Sequence, residues 1–261
     1  MKLRNCIKPA VMATALMLAG SGSAWSANVF TFDPSAVGLA PAVTAFTADT
    51  LTLADNATLT IDSAGNAVES GIFYVSSAAL AGNPVSTPGL NSTYGIYGTF
   101  SATGTGTFGN TNLSTFTYTL WGDPGHNTTF TLGGGIAAGT NATDVQLAHG
   151  SLIPPGTGQV VGPPFNLALQ IVNSFTVDNA ALFVGPTPFY FEIASSFTAF
   201  GGQIASSGNC PPGAGQTCTF VITSGGGTAS FIPEPETLAL LGIGLIGLGG
   251  ARRRKLGATG A

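Results

Sequence analysis

Apolar residues recur at every second position along most of this chain, and this period constrains the fold more than any other feature. Between residues 115 and 120, threonines alternate with Phe116, Tyr118 and Leu120. The same period marks the pairs Phe30/Phe32, Leu51/Leu53, Leu59/Ile61, Phe130/Leu132, Val145/Leu147 and Phe175/Val177. Period two with β-branched and aromatic residues is typical of strands with one buried face. No sustained helical period occurs before Thr237, so we expect an all-β fold.

Glycine and proline clusters interrupt this alternation at short intervals. They occur at Asp33-Pro34, 62–66, Asn83-Pro84, Pro88-Gly89, 122–125, 133–135, 154–158, 162–164, Gly185-Pro186 and 225–227. Short strands separated by such turns favour an antiparallel, β-sandwich-like single domain over residues 28–231. No internal repeat is evident, so a solenoid or a propeller is the weaker alternative.

The charged residues are divided sharply along the chain. The segment between Asn28 and Ala251 holds all eleven acidic residues and no lysine or arginine, so the net charge of −4 conceals a strongly acidic middle. Without cationic side chains this segment cannot neutralise phosphates, which excludes nucleic acid as a partner. Its charge suits bridging by divalent cations such as calcium. The seven basic residues lie at the two ends: Lys2, Arg4, Lys8, Arg252, Arg253, Arg254 and Lys255.

Residues 1–27 are typical of a secretory signal peptide. Basic residues precede an apolar segment over 10–20, and small residues follow it. The leader could end after Ala24, Ser26 or Ala27, and Trp25 disfavours the third because it would lie three residues before the cut. We therefore expect export through the Sec pathway into an oxidising environment.

Cys210 and Cys218 are the two cysteines outside this leader. They flank a turn-rich loop between two predicted strands, and we predict a disulfide that closes a hairpin. A metal site would need further soft ligands, and no positive charge lies nearby to favour a catalytic thiolate.

Candidate catalytic side chains are few. His126 and His149 are the only histidines, and no Gly-x-Ser-x-Gly nucleophile motif is present. Asp123 begins the segment Asp-Pro-Gly-His, which is typical of a tight turn. Glu69 and Glu192 are the only glutamates before the tail, and sequence spacing does not bring them together as glycoside hydrolysis would require. We expect no catalytic residues.

Two acidic segments are candidates for calcium binding, Asp55-Asn56 and the segment 62–69. Neither has the dense ligand spacing of a calcium loop, so we interpret both as solvated turns. The sequence therefore predicts no resident metal and no cofactor, with calcium as a weaker alternative.

The C-terminal tail combines three elements in order. Residues 233–236 form a stiff acidic spacer, because proline fixes φ and lacks an amide donor. The run 237–251 is uncharged, and as a helix it would extend roughly 22 Å, short of a hydrocarbon core of about 30 Å. The basic cluster at 252–255 can reach the membrane interface with its long side chains. These residues predict a short transmembrane helix behind an accessible peptide.

This order resembles the PEP-CTERM sorting signal, which joins a Pro-Glu-Pro triplet, a short glycine-rich transmembrane helix and an arginine cluster. The matching part is 232–256. The resemblance implies an inner-membrane precursor that an exosortase cleaves near the triplet, followed by delivery to the cell surface or extracellular matrix. A tail anchor that is never cut is the alternative. The sorting residues implied are Pro233, Glu234, Pro235, Arg252, Arg253 and Arg254.

A narrower similarity extends over the preceding segment. Residues 30–39, 45–49, 89–95 and 114–120 are similar to flocculation-associated PEP-CTERM proteins. This similarity implies a surface protein that associates with exopolysaccharide and promotes flocculation or biofilm formation. Two other classes stay open: a secreted polysaccharide-modifying enzyme and a structural surface-layer subunit.

Aromatic side chains are candidates for stacking on sugars, and core packing is the alternative for each of them. For Tyr118 the alternation with threonine favours the core. Trp121 precedes a glycine and lies at the end of a strand or in a loop. The candidates are Trp121, Tyr94, Tyr97 and Tyr118.

Overall fold

A computed structural model describes residues 29–107, 110–129, 143–161, 166–179, 183–184, 189–198 and 217–232. Every secondary-structure element in these ranges is a strand, and all pairings between strands are antiparallel, so the predicted all-β class is confirmed. The strands are β1 (Phe30–Phe32), β2 (Phe46–Ala48), β3 (Thr50–Ile61), β4 (Asn66–Leu80), β5 (Asn83–Pro84), β6 (Tyr94–Thr107), β7 (Asn110–Pro124), β8 (Val145–Val161), β9 (Asn166–Val177), β10 (Phe183–Val184), β11 (Phe189–Thr198) and β12 (Cys218–Ile232).

Eight of these strands form one closed sheet. Around the ring, β3, β4, β6, β7, β8, β9, β11 and β12 follow one another in chain order, and β12 pairs with β3 to complete it. The short β5 extends β4, while β1, β2 and β10 form a separate small sheet. The sandwich-like packing expected from the sequence thus takes the form of a single curved sheet around one core.

The alternation of the sequence decides which side chains enter this core. On β7, Phe116, Tyr118 and Leu120 are buried, whereas the threonines between them face outward. An interior enclosed by eight strands is just wide enough to be filled by side chains. Glycines make room for the largest of these: Gly98 lies directly beneath the ring of Phe73.

The N-terminal segment 30–48 covers one end of the closed sheet. The ring of Phe32 lies 6.2 Å from that of Tyr94 at the start of β6. Leu39 packs onto Gly122 near the end of β7, where a side chain at position 122 would have no room. The buried residues of this segment therefore belong to the same core as the sheet: Phe30, Phe32, Val37, Leu39, Ala40, Phe46 and Ala48.

Three predicted turns are wrong, because they lie within strands: Asn83-Pro84 is the short strand β5, which follows the turn at residues 81 and 82, and the other two lie inside long strands. Residues 154–158 are part of β8, and the register with β9 shifts between Ile153 and Thr157. Residues 225–227 are part of β12, where the register with β3 shifts between Ile222 and Gly225. Proline and glycine are compatible with strands at such bulges, where ladder hydrogen bonds are interrupted. The proline and glycine clusters therefore mark irregular positions within a strand, and the chain does not reverse direction there.

The described part of the chain contains no helix long and apolar enough to cross a membrane. The predicted leader (1–27) and the tail helix over 237–251 lie outside the described residues.

Candidate functional site

The outer side of strands β6 to β9 carries a continuous set of hydroxyl groups, which we call the hydroxyl face. On β6, β7 and β9 its members alternate with buried residues, and all members are exposed or half-buried. The period-two pattern of the sequence already indicated their orientation. The hydroxyl face consists of Thr99, Ser101, Thr103, Thr115, Thr117, Thr119, Ser151, Ser174 and Thr176.

Strand register aligns these hydroxyls into rows that run across the sheet. Thr103 is paired with Thr115, and their hydroxyl oxygens lie 2.7 Å apart. Thr117 is paired with Ser101 on one side and with Ser151 on the other. Such cross-strand pairs hold neighbouring side chains in fixed relative positions.

His149 and Asp178 lie beside the hydroxyl face, close to the end of β9. His149 Nδ1 is 2.9 Å from the Asp178 carboxylate, and Gln146 Nε2 donates to the same carboxylate at 2.9 Å. Although burial raises the pKa of Asp178, the hydrogen bonds from His149 and Gln146 outweigh it and lower that pKa. The imidazole is half exposed, as expected for a strand residue facing solvent.

Two carboxyl groups lie inside the closed sheet. Asp55 on β3 is 6% exposed and Glu69 on β4 is 8% exposed. Among the described residues, Asp55 Oδ2 and Glu69 Oε1 have no hydrogen-bond partner. Burial, reinforced by the charge of Glu69, raises the pKa of Asp55 to about 8, and burial raises the pKa of Glu69 to about 7.

These positions correct the interpretation of Asp55 and Glu69 as residues of solvated turns. Both belong to strands, and both lie at inward positions of the period-two pattern, together with Leu53 and Phe73. The sequence carried this signal, because position 55 has the same parity as Leu53. Asp62 does lie in a turn, where its carboxylate accepts hydrogen bonds from the amides of residues 64 and 66.

The described residues contain no group of three or more His, Cys, Asp or Glu side chains that could hold a metal ion. In the part of the chain that the structure describes, the Asp62 carboxylate caps its own turn while Asp55 and Glu69 are enclosed by the sheet.

Tyr94 and Tyr97 are wrong as sugar-stacking candidates, whereas the core position favoured for Tyr118 is confirmed. Tyr94 is 0%, Tyr97 2% and Tyr118 3% exposed, so none of these rings is accessible to a sugar. Tyr118 points into the core and donates to the backbone oxygen of Ser174 at 2.9 Å. Trp121 lies on β7 rather than in a loop and is half-buried.

Tyr97 is buried by the segment that follows β7. Its hydroxyl donates to Asp144 Oδ2 at 2.6 Å, and the Thr128 hydroxyl donates to the same oxygen at 3.0 Å. Burial raises the pKa of Tyr97, and the hydrogen bond to Asp144 adds to that effect. Asp123 accepts from the amides of Asn127 and Thr128, which confirms the predicted tight turn. This cluster therefore holds Thr128 and Asp144 against β6.

Several predicted site residues are not described by the structure. Cys210 and the sorting residues Pro233, Glu234, Pro235, Arg252, Arg253 and Arg254 lie outside the described residues. Cys218 begins β12, where its backbone pairs with Ile61. Glu192 lies on β11, where its backbone pairs with Val172 and Ser230.

The last strand connects the core directly to the tail. β12 ends at Ile232, one residue before the Pro-Glu-Pro triplet, and Phe231 is 0% exposed. The fold and this junction define a class of protein: a closed antiparallel β-domain followed without a spacer by a C-terminal signal. A family model, the PEP-CTERM protein-sorting motif, matches residues 231–255. The chain is accordingly an exosortase substrate, exported as a membrane-anchored precursor that is processed for the surface.

The match covers residues 233–255 of the tail and the last two residues of β12, and the rest of the closed sheet lies outside it. No curated protein and no solved structure matches the chain. The role of the β-domain must therefore be inferred from its own residues.

Proposed function

We propose that this protein is a non-enzymatic surface protein that associates with exopolysaccharide and promotes cell aggregation. The observation that carries the proposal is the junction at Phe231 and Ile232, where the sorting motif continues from the last core strand. The cargo of the sorting signal is consequently the closed β-domain itself. That cargo is acidic, lacks lysine and arginine between residues 28 and 251, and presents an outer side rich in hydroxyls.

The arrangement of the titratable groups favours a binding role over catalysis. Asp55 and Glu69 are enclosed within the sheet, whereas a glycoside hydrolase needs two carboxyl groups on either side of a bound sugar. His149 Nδ1 contacts the Asp178 carboxylate, but among the described residues no serine hydroxyl is a hydrogen-bond partner of the His149 ring. The described titratable groups can therefore make polar contacts, but they are not arranged to activate a nucleophile.

The test is the settling of a strain that lacks the gene, with polysaccharide yield measured in the same cultures. We expect dispersed cells with unchanged polysaccharide yield, and rescue by the full-length chain. A copy that ends at Ile232 should fail to rescue, because it lacks the sorting signal. A Glu236→Ala copy, changed just outside the triplet, is the matched control and should rescue.

Two results would contradict the proposal. Normal settling of the deletion strain would remove the aggregation role and favour a structural surface-layer subunit. Loss of polysaccharide itself, with an altered glycan product, would favour the secreted polysaccharide-modifying enzyme.

A further inference from the structure

We propose that the hydroxyl face is a docking surface for a neutral, extended polysaccharide chain. This inference rests on the proposed function and adds to it the place and the chemical class of the glycan. The face lies on the outer side of β6 to β9, and its central strand contributes Thr115, Thr117 and Thr119.

The spacing of the face is regular in two directions. Outward residues on one strand repeat about every 6.7 Å, and neighbouring strands lie about 4.8 Å apart. Register places Thr103 beside Thr115, and Thr119 beside both Thr99 and His149. A linear glycan also repeats its hydroxyl groups along one direction. An extended chain lying along β7 would therefore meet hydroxyl partners at successive sugars.

Charge determines which class of glycan fits. The face consists of hydroxyls that both donate and accept hydrogen bonds, with His149 at its margin and the carboxylate of Asp178 beyond it. An anionic glycan would find no lysine or arginine in the segment between residues 28 and 251, and it would be repelled by the acidic domain. A neutral polyhydroxyl chain meets neither problem.

The face is also rigid before any ligand arrives. Threonine is β-branched and has a restricted χ1, so its hydroxyl loses little freedom on binding. Phe116 and Tyr118 lie beneath the threonines of β7 and are buried in the core. Between β8 and β9, the Ser174 hydroxyl accepts from the Ser151 amide at 3.0 Å and donates to the Ser151 carbonyl at 3.2 Å. A preorganised surface of this kind favours a repetitive polymer over a compact ligand.

The experiment uses the exported protein, purified from cells that make it, with microcrystalline cellulose as the neutral extended probe. The variant Thr115→Val/Thr117→Val/Thr119→Val removes three hydroxyls and keeps the β-branched shape. The variant with serine at the same three positions keeps the hydroxyls and removes the methyl groups. Thr31→Val/Thr47→Val, in the small sheet, makes the same chemical change away from the face and serves as control.

We expect the valine variant to bind cellulose about tenfold more weakly or worse, since each lost hydrogen bond weakens binding severalfold. The control should bind as the unchanged protein does, and the serine variant should bind more tightly than the valine variant, because it keeps the three hydroxyls and loses only their restricted χ1. Melting temperatures of all variants are measured first, so that a loss of binding is compared among folded proteins.

Several results would overturn this inference. The first is that the valine variant binds cellulose as tightly as the unchanged protein does. The second is that the unchanged protein does not bind cellulose, and the third is that it binds only alginate in the presence of calcium. Loss of self-association in the valine variant with unchanged cellulose binding would assign the face to a second copy of this chain. If the deletion strain disperses but the valine variant still binds and restores settling, the proposed function stands and only this surface is wrong.

Discussion

The ring of Phe30 packs against the ring of Phe231, with centroids 4.4 Å apart and planes tilted by 55°. The first residue of β1 thereby contacts the last strand of the closed sheet, one residue before that strand ends. Both ends of the β-domain consequently leave from the same end of the sheet.

Replacing Phe231 tests how strongly this contact supports the domain. Phe231→Ala should lower the free energy of unfolding by about 3–5 kcal/mol, because it removes a fully buried ring between Phe30 and Phe175. Urea unfolding of the exported protein measures the change. Val68→Ala is the control, since Val68 is 52% exposed and its truncation should change stability little. Equal free energies of unfolding for the two variants would show that the ring of Phe231 does not stabilise the domain.

Gly98 is expected to be intolerant of any side chain. A Cβ at this position would collide with the ring of Phe73, and overpacking of a filled core costs about 1–3 kcal/mol. Gly98→Ala should therefore lower the melting temperature by several degrees. Gly226→Ala is the matched control, because a Cβ there would meet its nearest atom at 3.8 Å. A Gly98→Ala protein as stable as the control would show that Phe73 can move aside.

The buried carboxyl groups predict a dependence of stability on pH. The folded-state pKa values of Asp55 and Glu69 are raised to about 8 and about 7, from 3.8 and 4.5. Between about pH 4 and pH 8 the folded state therefore binds more protons than the unfolded state. The free energy of unfolding should be highest at the acid end of this window and should fall as the pH rises through it, by on the order of a few kcal/mol.

The variant Asp55→Asn/Glu69→Gln tests this dependence. It removes both titrating groups, so its stability should change less between pH 5 and pH 8.5 than that of the unchanged protein. Asp33→Asn is the control, because hydrogen bonds from Ser35 lower the pKa of Asp33 and place its own effect at acid pH. The same pH slope in the double variant and the unchanged protein would show that Asp55 and Glu69 ionise freely.

The distribution of basic residues predicts resistance to trypsin. No lysine or arginine lies between Asn28 and Ala251, so the mature domain should stay intact even after denaturation in urea. Mass spectrometry of the digest measures this directly. Chymotrypsin, which cuts after aromatic residues, should digest the denatured chain and controls for access. An internal tryptic cut would be incompatible with this sequence.

Chelation of calcium tests how the acidic domains contribute to aggregation. If calcium bridges the exposed acids of neighbouring molecules, EDTA should disperse preformed aggregates and added calcium should restore them. Settling is measured before and after each addition, with magnesium as the comparison. Aggregates that persist in EDTA would exclude this bridge and leave hydrogen bonding as the main contact.

The alternation of residues was sufficient to predict most local structure. Phe116, Tyr118 and Leu120 are buried as expected, and the threonines between them form part of the outer side. The prediction is wrong at an acidic residue whose place in the alternation was not considered. The prediction of a solvated turn at Asp55 is wrong, because its position in the alternation, two residues after Leu53, points inward.

The alternation of residues within one strand does not predict which strands pair with one another. It also does not predict where a strand continues through a bulge or which outward side chains are covered. The bulge at residues 154–158 keeps β8 continuous across two prolines, which a local signal cannot distinguish from a turn. Tyr97 has an outward position but is buried, and its hydroxyl meets Asp144, which the Thr128 hydroxyl also contacts. Long-range contacts of this kind leave no trace at the positions themselves.

The amino-acid sequence by itself determined the strand character of the chain, the acidic composition of its middle and the sorting motif of its tail. These properties depend on side-chain chemistry and on spacing over a few residues. Only the tertiary structure decided that β12 closes on β3 and that Phe30 meets Phe231. Closure joins residues far apart in the chain, and it depends on the accumulated curvature and register of the whole sheet rather than on any local pattern.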